Sequence, residues 1–167
     1  MKERLWSAGL IACVIAFDRV TKIYVREHYM PWDVTRVIPG FFDIVHAENP
    51  GAAFGMLADS TAPWRSLLLV GISLVVMAAI GWMLWKPSGG ARYSATMRAG
   101  LSLIFAGAAG NLWDRLFRGT VTDFLELYHR NYQFPAFNAA DSAITIGAVL
   151  LLIDMWFGRK PGISVRT

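Results

Sequence analysis

The stretch from Ser66 to Trp85, SLLLVGISLVVMAAIGWMLW, runs for 20 residues without a charge. A helix rises about 1.5 Å per residue, so about 20 apolar residues cross the roughly 30 Å of hydrocarbon in a bilayer. Three more segments follow this pattern. Leu5 to Val25 is apolar through Phe17 and then carries Asp18, Arg19 and Lys22. Ala99 to Phe117 is interrupted near its end by Asp114 and Arg115, and Asn138 to Phe157 holds Asp141 near its start and Asp154 near its end. Four such helices leave too little of a 167-residue chain to cover them in water. Helices at about 5–25, 66–85, 99–117 and 138–157 are therefore expected to span a membrane within one domain, residues 1–167. The first has the basic start of a signal peptide, Lys2 and Arg4, but no small-residue cleavage site follows Phe17. It reads as a retained helix.

Composition agrees. The chain is 55% hydrophobic and 17% charged, against about 25% charged in an average soluble domain. This excludes a disordered tail, a collagenous repeat and a disulfide-stapled module. Cys13 is the single cysteine and cannot form an internal disulfide. No Cys/His cluster has metal-ligand spacing. The net charge of +4 is explained by where the cations sit. Lys2, Arg4, Lys86, Arg92, Arg98, Arg159, Lys160 and Arg166 fall in the two tails and the connection between the second and third segments. The longer connections, 26–65 and 118–137, hold only five, Arg26, Arg36, Arg65, Arg118 and Arg130, the former alongside several acids. The positive-inside rule then places both termini in the cytoplasm and those two connections outside. The basic balance is a topology signal, and no nucleic-acid partner is expected. Trp6, Trp64, Trp82, Trp85, Trp113 and Trp156 all fall near the ends of the spans, where amphipathic rings prefer to sit.

The first outer connection is too long for a turn. Phe41 to Glu48 is rich in aromatic and β-branched residues and predicts one or two short strands. Asn49-Pro-Gly51 reads as a turn. Phe54, Met56 and Leu57 suggest a segment lying on the bilayer surface, and Pro87-Ser-Gly-Gly90 reads as a hairpin linker on the cytoplasmic side. His28, His46 and His129 are scattered and read as surface or interfacial.

Ionisable groups within spans cost several kcal/mol, so they point to function by default. With this orientation Asp18 and Lys22 lie in the outer half of the first span, and Asn111, Asp114 and Arg115 at the outer end of the third. Asp123 follows in the outer loop, and Asn138 and Asp141 open the fourth. Asp154 alone sits at the inner end. Each has a plain structural reading beside the functional one. Asp18 and Lys22 are spaced i,i+4 with the acid first, which suits an ion pair as well as it suits a substrate-shaping role. Asn111 and Arg115 share a helix face, with Asp114 beside them, as a locking network would. Asn138 is a natural N-cap, and Asp141 occupies a position that favours an acid at a helix start. Asp123 alone fits a solvated loop acid. Jointly the readings change. Two carboxylates at the outer ends of neighbouring helices, in a site of low dielectric, do not both ionise comfortably, and one holds a proton. One can accept a proton from water while the other donates to a carbonyl oxygen. No span carries a serine, cysteine or histidine arrangement for nucleophilic proteolysis.

Asp18-Arg-Val-Thr-Lys22, Asn49-Pro-Gly-Ala-Ala-Phe54, Gly107-Ala-Ala-Gly-Asn-Leu-Trp-Asp-Arg115, Val121-Thr-Asp-Phe124 and Phe134-Pro-Ala-Phe-Asn-Ala-Ala-Asp141 resemble, in order, the signature blocks of bacterial lipoprotein signal peptidase, the type II signal peptidase. The resemblance covers nearly the whole chain. It implies an all-α membrane protein of four transmembrane helices, with a small extracytoplasmic β-cradle and an interfacial helix between helices 1 and 2. It also implies an aspartic endopeptidase of the inner membrane that cuts prolipoproteins before a diacylglyceryl-modified cysteine. By the motif match Asp123 and Asp141 would be the catalytic dyad. Asn111, Arg115 and Asn138 would order it and bind substrate backbone, with Asp114 in their network. Asp18 and Lys22 would support the site, and Asn49 and Gly51 would belong to a loop folding over the substrate. Lipid-modified prolipoproteins and membrane lipids are the expected partners, for a monomer needing no cofactor. No metal is expected, because the two aspartates lack the further ligands of a divalent site. The rival reading is a small transporter or scaffold with a polar helix-locking network. A transport pathway should place polar groups in both halves of the bilayer, whereas Ser66 to Trp85 has no charge at all.

Overall fold

The computed structural model describes residues 2–51, 64–85 and 93–157. Its long helices are α1 (Lys2–His28), α2 (Trp64–Trp85), α3 (Ala95–Arg118) and α4 (Ala139–Phe157). Between them run β1 (Val34–Ile38), β2 (Phe42–Asn49), β3 (Val121–His129) and β4 (Tyr132–Gln133). The surface segment expected around Phe54 and the linker at Pro87 lie outside the described residues.

α3 is the central helix. It packs on α4 most extensively, and on α1 and α2. Its sequence explains the closeness. A Cβ on Gly100 would come within 2.8 Å of the Gly147 carbonyl oxygen, and one on Gly147 within 2.6 Å of the Gly100 oxygen. Small residues at such crossings let membrane helices approach backbone to backbone. Among the described helices α2 and α4 are long and apolar enough to cross a membrane. α1 breaks its apolar run with Asp18, Arg19 and Lys22, and α3 carries Arg98, Ser102 and Asn111. Asp18, Lys22, Arg98, Ser102 and Asn111 are all buried, so the polar seam of the two helices faces protein. The outward surface is apolar: Leu67, Val75, Leu152 and Met155 are all exposed, as are the six tryptophans at helix ends.

At one end of the bundle the strands form a sheet in the order β1-β2-β3-β4, antiparallel throughout. The strand expected at Phe41 to Glu48 is present as β2. The connection 118–137 was expected to be a loop and is not: it supplies β3 and β4, so Asp123 is a strand residue. The reason is pairing. A two-stranded hairpin is marginal by itself, and β2 completes its ladder on β3, with Glu48 opposite Thr122 and Asn49 opposite Val121. An irregularity between Ile44 and Ala47 shifts that register. α3 stops at Gly119, whose φ of 79° caps the helix while its N–H donates to the Arg115 carbonyl at 3.3 Å. That left-handed turn delivers the chain straight into β3.

Candidate active site

The site begins with buried charge. Asp18 and Lys22 lie one turn apart on α1, both fully buried, with Lys22 Nζ 3.0 Å from Asp18 Oδ2. The same ammonium lies 2.9 Å from Asp114 Oδ2 of α3 and donates to Asn111 Oδ1 at 2.9 Å. Arg19 Nη2 donates to Asp114 Oδ1 at 2.7 Å. Asp18 Oδ1 accepts the backbone N–H of Ala140 at 3.1 Å, holding the first turn of α4. A Cβ on Gly110 would stand 2.7 Å from Asp18 Oδ2, so only glycine leaves room for that carboxylate. Charges this deep are tolerated because each is paired and hydrogen-bonded. The ion pair foreseen from the i,i+4 spacing is present and joins three helices.

Asn138 precedes α4 and caps it reciprocally with Asp141. Its Oδ1 accepts the Asp141 N–H at 3.0 Å, and Asp141 Oδ2 accepts the Asn138 N–H at 3.2 Å. This is a capping box built from Asn and Asp. The Asn138 amide then reaches beyond the cap. It donates to Asp123 Oδ1 at 2.6 Å and to Asn111 Oδ1 at 3.3 Å. Asn111 in turn donates to Asp141 Oδ1 at 2.7 Å. Asn49, the last residue of β2, donates to Asp123 Oδ2 at 2.9 Å and accepts the Gly51 N–H at 2.8 Å. Arg115 Nη2 donates to the Gly51 carbonyl at 3.3 Å. All ten residues singled out in the sequence are thus brought into one network, with Lys22–Asn111 as the link between buried charge and carboxylates.

Asp123, Asp141, Asn49, Asn111 and Arg115 line one cavity of about 750 Å³, whose remaining wall is mostly apolar, including Phe134, Phe137 and Ile144. Asp123 is 3% exposed. Burial, followed by the charge of Asp141, pushes its carboxyl up to about 7, against the amide hydrogen bonds of Asn49 and Asn138 and the Lys22 charge. A carboxyl poised near neutrality beside a second carboxylate can hold the one proton that two such groups share.

Several participants were not foreseen. Arg19 was visible only as a charge in a span. Arg26 donates to Thr122 Oγ1 at 3.0 Å. Glu48 accepts from Thr120 at 2.5 Å and from Thr122 at 2.9 Å. His46, expected to be surface or interfacial, is 6% exposed. Its Nδ1 lies 2.8 Å from the Tyr29 carbonyl and its Nε2 3.1 Å from Glu48 Oε1, because the irregularity in β2 turns it toward the end of α1. His28, stacked on Tyr24, and His129 stay exposed. Asp154 accepts a hydrogen bond from Ser94, the N-cap of α3, at the far end of the bundle.

Residues 10–157 match the family described as signal peptidase (SPase) II. The lipoprotein signal peptidase of Solibacter usitatus is 49% identical over 166 residues, 99% of either chain. That of Cupriavidus necator is 41% identical over 150 residues, 90% of this chain and 82% of its own. Two solved structures described as a bacterial membrane enzyme, determined by the in meso method, share the fold. One aligns with a TM-score of 0.78 at 34% identity over 94% of this chain and 93% of its own. The other has a TM-score of 0.79 at 32% identity over 92% and 94%.

Proposed function

This chain belongs to the signal peptidase II family of membrane proteases, and from that premise we propose that it cleaves diacylglyceryl-modified prolipoproteins before the lipidated cysteine with an aspartic dyad, Asp123 and Asp141. The observation that carries the reading is the shared amide frame. Asn138 donates to both carboxylates, from its side-chain amide to Asp123 Oδ1 at 2.6 Å and from its backbone N–H to Asp141 Oδ2 at 3.2 Å.

The reaction needs one proton on the pair. The ionised carboxylate takes a proton from water as its oxygen attacks the scissile carbonyl. The protonated partner gives its proton to the carbonyl oxygen, and the tetrahedral intermediate forms without a full oxyanion. Return of a proton to the peptide nitrogen breaks the C–N bond. The pair titrates as a unit, so base and acid are roles of the dyad rather than of one residue. Asn49, Asn111 and Asn138 keep the carboxylates in place, Arg115 faces the cavity for the substrate backbone, and Asp18, Lys22 and Asp114 hold the helix ends. The apolar part of the cavity wall suits the diacylglyceryl group.

All four helices span the inner membrane in this reading, both termini are cytoplasmic, and the sheet with its site lies on the extracytoplasmic side. A lipid anchor keeps the scissile bond at membrane depth while water must still enter. Non-helical backbone at that depth is tolerable where it lines a cavity or is buried in protein, as β3 and the Asn49–Gly51 turn would be. The protein acts as a monomer among membrane lipids. The experiment is incubation of the purified protein, in lipid nanodiscs, with lipid-modified precursor and with unmodified precursor. Released signal peptide from the modified precursor alone is the expected result. No release, with the protein folded, would favour the transporter or scaffold reading.

A further inference from the structure

Glu48 is a half-buried carboxylate that takes no part in the chemistry above, yet it is held by three groups. Thr120 Oγ1 donates at 2.5 Å, Thr122 Oγ1 at 2.9 Å, and His46 Nε2 lies 3.1 Å away. Burial works against its charge, but these hydrogen bonds outweigh it and hold the carboxyl below the ordinary glutamate range. The sheet register shows what the clamp fixes. Glu48 is directly opposite Thr122, and each is followed in its strand by a site residue, Asn49 and Asp123. Side chains alternate along a strand, so Glu48 and Thr122 share one face while Asn49 and Asp123 share the other. The only ladder irregularity in the β2–β3 pair, between Ile44 and Ala47, lies just before the clamp. A one-residue slip there would turn Asn49 away from Asp123.

The same face is tied to α1. Arg26 donates to Thr122 Oγ1 at 3.0 Å and stands 3.9 Å from Asp114 Oδ1. His46 Nδ1 lies 2.8 Å from the carbonyl of Tyr29, just past the end of α1. The clamp therefore fastens β2 and β3 to each other and both to the helix that carries Asp18 and Lys22.

We propose that Glu48 is a positioning residue for the dyad: clamped by Thr120, Thr122 and His46, it locks the β2–β3 register that brings the Asn49 amide to Asp123. The inference rests on the dyad reading. The groups facing Glu48 are His46 and Thr122 from the sheet, Thr120 from the turn just before β3, and Arg26 from α1. Those facing Asp123 are Asn49, Asn138, Asp141, Lys22 and Arg115.

The test compares wild type with Glu48→Ala, Glu48→Gln and Thr122→Val in nanodiscs, reading kcat and KM for lipid-modified precursor across pH. Glu48→Ala is expected to lower kcat about tenfold or more with KM nearly unchanged. It should also move the alkaline fall in kcat to higher pH, since a displaced Asn49 no longer favours ionised Asp123. Gln keeps one acceptor oxygen for one threonine hydroxyl and offers its amide N–H to the other threonine's oxygen, so Glu48→Gln should restore part of kcat. Thr122→Val keeps shape and loses the hydroxyl between Arg26 and Glu48, and should shift kcat and pH dependence in the same direction. It decides the matter if Glu48→Ala does not fold. Folded variants with wild-type kcat and pH profile, or a change confined to KM, overturn the role of Glu48. Asp123→Asn run alongside tests the dyad itself: if it cleaves normally, the reading on which this inference rests fails instead.

Discussion

The amide of Asn138 donates to Asp123 Oδ1 at 2.6 Å, so the residue that caps α4 also holds a carboxylate on strand β3. One side chain thereby sets the position of Asp141 through the cap and of Asp123 through the amide. Asn138→Ala should lose both. The cap alone is worth about 1 kcal/mol of stability, and a hydrogen bond to a charged group about 1.5–3 kcal/mol. Cleavage is expected to fall about 100-fold while thermal unfolding shifts only modestly. A large loss of stability with normal turnover per folded molecule would assign Asn138 to capping alone.

The pH dependence follows from Asp123. Its carboxyl is pushed up to about 7 by burial and then by Asp141. An acid shifted upward keeps its proton until the pH passes that value. Below about 7 the pair retains its shared proton, and above it both carboxylates are charged and no acid remains. kcat should therefore decline as pH rises through about 7. Asn49 donates to Asp123 at 2.9 Å and favours the charged form. Asn49→Ala should therefore move the decline to higher pH as well as lowering kcat. A shift to lower pH would contradict the assignment.

Lys22 lies within 3.0 Å of two buried carboxylates, Asp18 and Asp114, and within 2.9 Å of Asn111. Lys22→Met leaves these charges short of a partner. Removing one member of a buried pair costs about 3–5 kcal/mol, so the variant should unfold at markedly lower temperature than wild type. Asp18→Asn added to Lys22→Met should recover part of that loss. A Lys22→Met protein of unchanged stability would mean that the charges are not desolvated as the structure has them.

How much of this was legible before the structure depended on range. The long apolar runs set the helices, and local spacing foretold the Asp18–Lys22 pair and the Asn138–Asp141 cap, because both partners lie within one turn. β3 was missed because Val121 to His129 does not alternate cleanly: Thr122 and Asp123 are adjacent polar residues, and Phe124 and Leu125 adjacent apolar ones. Its partner, β2, lies 72 to 85 residues away in the chain, and only that pairing makes a strand of what reads as a loop. The same separation hid Arg26, Thr122 and Glu48, whose meaning exists only once α1, β2 and β3 meet. His46 went unrecognised for a related reason: an irregularity in the ladder turned it inward.

Close helix contact is also testable. A Cβ at Gly147 would lie 2.6 Å from the Gly100 carbonyl, so Gly147→Leu must push α4 from α3. Overpacking of this kind costs about 1–3 kcal/mol, and the thermal midpoint should fall accordingly. Gly9, with nothing within 4 Å of its would-be Cβ, is the control: Gly9→Ala should leave the midpoint at wild type or slightly above it, since alanine favours a helix interior over glycine.

The central claim is that Asp123 and Asp141 share the chemistry. Asp123→Asn and Asp141→Asn, each purified and shown to be folded in nanodiscs, should release no signal peptide from lipid-modified precursor under conditions in which wild type completes cleavage. Near-normal processing by either variant would contradict the dyad.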